Sequence, residues 1–195
     1  MTNKLAITAS LKQCSVAIRY NGNVYQKNEN ADSSTYLVEI IRQTFEQFNL
    51  DIKAIDEIIT ASGPGSFTGI RAAQSCVKGL AFALKIPATC VTYFDVIKNL
   101  CDHKENLIAI IKSEKNDFYF HDFKMNISGV CKEEQLKEMI SSNTTFAGEI
   151  QQFFVDDHLA DYIQIEDFRD AKHLINIESE DTTIKPLYIN ARSSN

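Results

Sequence analysis

The nonapeptide GPGSFTGIR, residues 63–71, constrains the fold most, because it joins a buried apolar stretch to a long run of small and apolar residues. The preceding EIIT, residues 57–60, is typical of a buried strand, and residues 69–84 have helical spacing. A strand, a glycine-rich turn and a helix in this order indicate an α/β fold, and many such turns bind phosphate. Two interpretations follow: a phosphate site or a tight structural turn.

The common phosphate and nucleophile motifs do not fit this loop. Gly63 and Gly69 are one position too far apart for a P-loop or a dinucleotide fingerprint, and no lysine follows the second glycine. A serine-hydrolase elbow would need glycines two residues either side of Ser66, where Pro64 and Thr68 stand. The sequence therefore indicates no catalytic residue in the loop.

Anion binding by the first amides of the helix remains open, with Ser66, Thr68 and Gly69 as the weak candidates for that role. The alternative is that the glycines and Pro64 only make a tight strand-to-helix turn. Loop chemistry alone favours the turn.

The helix after the loop has an apolar arc of about 200°, roughly twice what a helix covered on one side needs. A stripe of large side chains lies beside a stripe of small ones, formed by Ala72, Cys76, Gly79 and Ala83. The earlier helix, within residues 34–48, has a similar arc, whose outward part is predicted to be Leu37, Ile41 and Phe45. Either the two helices only cover each other, or a partner covers them.

Composition and charge limit the classes of function that the chain can have. The chain has 195 residues, a formal net charge of −6 and a pI of about 5.2, which excludes a basic groove that binds nucleic acid on its own. No apolar stretch has the length of a signal-peptide core or a membrane span, so we expect a cytoplasmic protein with no membrane partner. Five scattered cysteines without a CxxC pair predict reduced, mostly buried thiols.

The order of predicted elements suggests two related lobes. Strands near residues 4–8, 14–20 and 23–27 form a meander through the Asn21-Gly22 hairpin, and a helix, strand and helix follow. From about residue 105 a similar but shorter series of elements begins, with predicted strands at 106–113 and 117–125. We predict a first lobe at residues 1–103, which holds the glycine loop, and a shorter second lobe at 104–195.

Four segments together resemble the TsaB family: CSVAI near the start, GPGSFTGIR, KGLAFALKIPATCV after it, and PLYINAR near the end. The resemblance is dense over residues 1–100 and thin afterwards. It implies an α/β protein of two RNase-H-like lobes with the actin-like ATPase fold. Each lobe would hold a mixed sheet that opens with an antiparallel meander, the second lobe being reduced.

The family resemblance also implies a function. TsaB is the partner subunit of the bacterial machinery that makes threonylcarbamoyladenosine in tRNA, and is taken to be a non-catalytic scaffold, or pseudo-enzyme. It binds the catalytic subunit TsaD through the two helices of its first lobe, and the ATPase TsaE joins the pair. This implies that the two helical surfaces above bind a TsaD homologue, that they support a homodimer when the chain is alone, and that tRNA is contacted only indirectly.

Two positions depart from the ATPases of this fold, which usually carry an acidic residue at the end of the first strand. Thr8 stands there in the first lobe and Lys112 in the second, and neither replaces a carboxylate ligand for magnesium. We therefore expect no cofactor for the isolated chain, with ATP or ADP bound only in an assembled complex. The alternative is a small ATPase or phosphotransferase acting alone, with Ser66 and Thr68 near the phosphate.

The histidines predict no metal site. His103, His121, His158 and His173 are at least fifteen residues apart in sequence, so no helical pair of ligands exists. A site at His158 with Asp156 or Asp157 is the alternative, and a solvated acidic loop is the favoured interpretation of that segment.

Overall fold

A computed structural model describes residues 2–10, 13–30, 33–102, 106–113, 117–139, 144–150 and 161–189. The chain forms two compact units, Met1–Tyr93 with Arg169–Leu187, and Phe94–Phe168 with Tyr188–Asn195. The predicted division differs from this one, because it placed all of residues 104–195 in the second lobe. In the structure the segment 169–187 belongs to the first unit.

The first unit is built on a five-stranded mixed sheet of order β3-β2-β1-β4-β5. Strands β1, β2 and β3 form an antiparallel meander, and β4 and β5 continue the sheet parallel to β1. The strands are β1 Lys4–Ala9, β2 Cys14–Tyr20, β3 Asn23–Glu29, β4 Glu57–Gly63 and β5 Ala88–Thr92. Its helices are α1 Ser33–Gln47 and α2 Phe67–Leu84. A third helix, α3 Tyr93–Leu100, begins at the last residue of this part of the first unit and belongs to the second unit from Phe94 onward.

Alternation along β1 separates the two faces of this sheet. Leu5 and Ile7 point to a core shared with α1 and α2. Lys4 and Thr8 point to the opposite face, where they donate hydrogen bonds to the carbonyl oxygens of Ile177 and Arg169. The sheet is therefore covered on its second face by chain that returns from the C-terminal half.

Asp170 fixes this returning segment, just before the short helix Ala171–Leu174. Its carboxylate is 4% exposed and accepts hydrogen bonds from the side-chain amides of Asn28 at 2.9 Å, Gln26 at 3.1 Å and Gln13 at 3.4 Å. The backbone N–H of Ala171 donates to the Ser15 hydroxyl at 2.9 Å. Amides of the meander thus satisfy a carboxylate that would otherwise be costly to bury.

Lys4 makes a second connection to the same segment. The lysine is 1% exposed, and its ammonium pairs with Glu57 at 2.8 Å while it donates to the carbonyl of Ile177 at 3.2 Å. Farther along, the N–H of Cys90 donates to the carbonyl of Asp181. The segment 169–187 is therefore bonded to β1, β2, β3 and β5.

The second unit repeats the sheet topology, with the order β10-β9-β6-β7-β8. Its meander is β6 Leu107–Lys112, β7 Phe118–Asp122 and β8 Ile127–Cys131, and β9 Thr145–Gly148 and β10 Asp161–Gln164 add parallel to β6. The helix α4, Glu133–Glu138, has six residues. Two mixed sheets that each open with an antiparallel meander confirm the predicted fold class.

Strand β8 was missed by the sequence interpretation, which ran one strand through residues 117–125. The chain turns instead after Asp122, whose carboxylate accepts hydrogen bonds from the N–H groups of Lys124 and Met125 at 2.9 Å. Asn126 closes the turn with a φ of 54°. Because this turn contains neither glycine nor proline, its strongest sequence signals were absent. Strand β10 and the Ala171–Leu174 helix were also not predicted.

We expect Asp170→Ala to lower the free energy of unfolding by about 2–4 kcal/mol, because three side-chain amides lose a charged acceptor. Urea denaturation of the full chain measures this change. Glu178→Ala, at an exposed position of the same segment, is the control and should change stability by less than about 0.5 kcal/mol. A loss at Asp170 as small as that of the control would contradict the anchoring role.

Candidate functional site

The glycine-rich loop caps α2 with its own side chain. Ser66 is the N-cap residue, and its hydroxyl accepts a hydrogen bond from the N–H of Gly69 at 3.3 Å. The carbonyl of Ser66 accepts from the N–H of Ile70 at 2.9 Å. Gly63, which ends β4, has a φ of +108°, a conformation that side chains rarely adopt.

Gly69 lets the first turn of α2 lie against the end of β1. A Cβ atom at this position would be 2.6 Å from both the carbonyl oxygen of Ala9 and the Cα of Ser10. Close packing thus explains why a glycine stands at position 69, in agreement with the tight-turn interpretation. Ser66 is half-buried, Thr68 exposed and Gly69 buried, and anion binding at these three residues stays a prediction.

The end of β1 is filled by the chain itself. Thr8 is 3% exposed and donates to the carbonyl of Arg169 at 2.6 Å. A cavity of only about 10 Å³ remains here, lined by Thr8, Ser15, Tyr93 and Arg169 among others, which is at most the space of one water. Burial raises the pKa of Tyr93 to about 12, so its phenol is neutral at physiological pH.

In the second unit, Lys112 ends β6 with an exposed side chain. Its backbone N–H donates to the carboxylate of Glu149 at 2.9 Å. Neither strand end therefore presents a carboxylate of its own in place of the one that the ATPases use.

The small stripe of α2 lies at the border between its buried and exposed faces. Gly79 and Ala83 are exposed, and Ala72 and Cys76 are half-buried. A Cβ atom added at Gly79 would meet nothing within 4 Å. The first unit therefore leaves room above this position for side chains from elsewhere.

The predicted outward surface of α1 is wrong in its residues. Leu37, Ile41 and Phe45 are 3%, 4% and 6% exposed and belong to the core beneath α1 and α2. Most of the broad apolar arc of α1 packs against the sheet and against α2. On α1 the exposed apolar side chains are instead Tyr36 and Val38, at 52% and 70%.

Phe82 of α2 was not among the residues that the sequence analysis assigned to the partner surface. It is 87% exposed, more than any other large apolar side chain that the structure describes. Phe67, at the start of the same helix, is 51% exposed, and the Arg71 guanidinium lies 3.7 Å from its ring centroid. At 100° per residue Phe82 falls among the polar positions Arg71, Ser75 and Lys78, and this placement was the signal available in the sequence.

Metal binding finds no support within the described ranges, where no group of three or more His, Cys, Asp or Glu side chains could hold an ion. His103, Asp156, Asp157 and His158 lie outside the described residues. The five cysteines are free thiols, and all except the half-buried Cys76 are buried, as predicted. None of the helices in the described ranges is long and apolar enough to cross a membrane.

His121 instead packs as an aromatic side chain of the second unit. Its ring lies 5.5 Å from that of Phe94 and 4.4 Å from that of Phe123, and its Nδ1 is 2.8 Å from the Ser128 hydroxyl. Burial lowers the pKa of His121, and this effect outweighs the attraction of Asp95 and Asp122 for the charged form.

We expect Gly69→Ala to cost about 1–3 kcal/mol of stability, since the new methyl group meets backbone atoms that cannot easily move. Gly79→Ala is the matched control on the same helix and should raise stability by about 0.5–1 kcal/mol, because alanine is the better helix former and has free space there. Thermal or urea unfolding of both variants measures the difference. Equal changes in stability for the two variants would show that close packing does not require glycine at position 69.

His121 should make stability depend on pH. Because its pKa is lowered in the folded state, its contribution is complete above the unfolded value of about 6.5 and is lost as the pH falls through the folded value. The difference in unfolding free energy between the unmodified chain and His121→Gln should therefore shrink between about pH 7.5 and pH 5. Urea titrations at both pH values test this, and a constant difference would contradict it.

Comparison with known proteins gives a consistent picture. The family model described as "TsaD: tRNA N6-adenosine threonylcarbamoyltransferase" matches residues 20–160. Curated relatives include the tRNA threonylcarbamoyladenosine biosynthesis protein TsaB of Buchnera aphidicola subsp. Acyrthosiphon pisum, 27% identical over 141 residues, which are 70% of this chain and 64% of the relative. The TsaB protein of Haemophilus influenzae is 29% identical over 60% of this chain and 51% of its own length. The matched part of this chain thus spans about half to two thirds of the length of these relatives.

The solved structure of YeaZ from Pseudomonas aeruginosa has the same fold. It superposes with a TM-score of 0.73 at 22% sequence identity and covers 97% of this chain and 100% of its own. Because the family model extends over most of the chain and the curated relatives share one name, the chain belongs to the tRNA N6-adenosine threonylcarbamoyltransferase family and, within it, to the TsaB proteins.

Proposed function

We propose that this chain is a non-catalytic subunit of the machinery that makes threonylcarbamoyladenosine in tRNA, and that it binds and supports a TsaD-type transferase through α1 and α2. The observation that carries the proposal is the uncovered strip on α2, where exposed Phe82 lies beside the open positions Gly79 and Ala83. The names of the curated relatives supply the pathway.

The strip has the form of a helix-docking surface. Small residues allow a partner helix to approach closely, and a large exposed aromatic residue supplies the kind of anchor that dominates binding energy at interfaces. Ala72 and Cys76 border the strip from the buried side. Tyr36 and Val38 replace the three buried residues of α1 in the proposed surface, while Leu37, Ile41 and Phe45 support it from the core.

The end of β1 supports the non-catalytic part of the proposal. Thr8 lacks the carboxylate that would place a magnesium ion, and a cavity of only about 10 Å³ remains beside its hydrogen bond to the carbonyl of Arg169. We therefore propose that the isolated chain binds no nucleotide, and that any ATP or ADP is held only in a larger assembly with the TsaD and TsaE homologues. The net charge of −6 supports only indirect contact with tRNA.

The function is tested by reconstitution with the TsaD and TsaE homologues of the same cell. We expect this chain to co-purify with the TsaD homologue, and threonylcarbamoyladenosine formation to fall strongly when the chain is left out. Unchanged product without the chain would overturn the proposal.

The interface is tested by Gly79→Leu, which should weaken binding to the TsaD homologue at least about tenfold, or 1.4 kcal/mol, because the added side chain pushes the partner helix away. The isolated variant should fold normally, since nothing occupies the space above Gly79. Calorimetric titration measures the affinity, and circular dichroism and thermal melting verify the fold.

Lys78→Leu, at the exposed neighbouring position, is the control for adding the same side chain and should leave binding nearly intact. Normal binding by Gly79→Leu would place the interface elsewhere. Any self-association of the isolated chain through the same strip should weaken in parallel, which sedimentation velocity measures.

A further inference from the structure

Strand β8 forms an open edge of the second sheet. It pairs with β7 on one side, and in the described part of the chain no strand pairs with its other side. Its sequence, ISGVC, contains no charge and no proline, which are the devices that usually protect an edge strand from pairing. The backbone of β8 is therefore available to another extended segment.

A groove runs between this edge and α4. It has a volume of about 450 Å³, within the range of known binding sites, and its walls are Phe120, Val130 and Cys131 from the sheet and Gln135, Glu138 and Met139 from α4. The Phe120 ring lies over Gly129, where a Cβ atom would be only 2.6 Å away. Because Gly129 has no side chain, the Phe120 ring extends as far as β8 and forms an apolar floor of the groove beside the edge strand.

The polar end of the groove is acidic. Asp117 and Glu138 line it, and the buried Oδ1 of Asp117 is met by the ammonium of Lys132, whose side chain is 64% exposed. The charged side chains that line the groove are two carboxylates, Asp117 and Glu138, and one ammonium, Lys132, so its lining has a net charge of −1. An apolar floor with an acidic end fits a side chain with an aliphatic stem and a positive head.

We propose that β8 and α4 bind an extended segment of a partner protein, which adds as a strand to the edge of β8 and inserts one lysine or arginine side chain into the groove. The stem of that side chain packs on Phe120 and Met139, and its charged head lies near Asp117 and Glu138. Backbone hydrogen bonds along the edge supply affinity, and the groove supplies specificity, as in other cases of strand addition.

A second copy of this chain fits the groove less well. Its own β8 would offer no basic side chain, because ISGVC has none, and it would bring a second groove of the same negative charge. The local charge therefore favours a basic partner segment over an isologous dimer.

Fluorescence anisotropy with short labelled peptides tests the proposal on the full chain. The peptides are Ser-Val-Thr-X-Thr-Val-Ser, with lysine, arginine, leucine or glutamate at X. We expect the lysine and arginine peptides to bind at least about tenfold more tightly than the glutamate peptide. Hydrogen exchange should slow in β8, residues 127–131, when the lysine peptide is present.

Substitutions in α4 and methylation of the peptide backbone distinguish strand addition at a charged groove from unspecific binding. Glu138→Lys should remove most of the preference for the basic peptides, whereas Glu134→Lys, an equally exposed position of α4 that does not line the groove, should preserve it. Methylating alternate backbone nitrogens of the lysine peptide should weaken binding in one of the two possible patterns and not in the other, because only every second amide faces the edge.

Several results would overturn the proposal. These are the absence of binding by every peptide at millimolar concentration, equal affinity for the lysine and glutamate peptides, or equal effects of the two methylation patterns. Protection of β8 by self-association without peptide, measured by sedimentation and hydrogen exchange, would assign the edge to a second copy of the chain instead.

Discussion

The first unit depends on a buried carboxylate that joins two distant parts of the chain. Asp170 lies among the amides of Gln13, Gln26 and Asn28, and these bonds bring the segment 169–187 onto the second face of the first sheet. Without that cover, Lys4 and Thr8 would lose the carbonyl oxygens of Ile177 and Arg169 that accept their hydrogen bonds. Asp170 therefore joins the segment 169–187 to the first sheet through a buried charge that three side-chain amides satisfy.

The same segment decides what the end of β1 can do. At this strand end the Thr8 hydroxyl donates to the carbonyl of Arg169, and a cavity of only about 10 Å³ remains. The available apolar surface lies instead on α2, around Phe82 and Gly79. The first unit therefore combines a closed polar end at β1 with an exposed apolar surface on α2.

The sequence predicted the fold well where local signals agreed, and the site less well where burial depended on distant chain. Asn21-Gly22, the alternation of β2 and the GPGSFTGIR turn were sufficient to predict the first meander and α2. Periodicity assigned apolar arcs to α1 and α2 but could not show which part of each arc the sheet would cover, so Leu37, Ile41 and Phe45 were placed outside and Phe82 was passed over. The anchoring by Asp170 has no local pattern, because its partners are 142 to 157 residues away in sequence.

The separation of Lys4 and Ile177 by 173 positions has a consequence for synthesis on the ribosome. Strands β1 to β5 emerge early, but the chain that covers their second face follows only after residues 94–168 of the second unit have been made. At about 5–20 residues per second, the uncovered sheet waits several seconds for that cover. During this interval the second face of the first sheet stays uncovered, while residues 94–168 of the second unit are already synthesised.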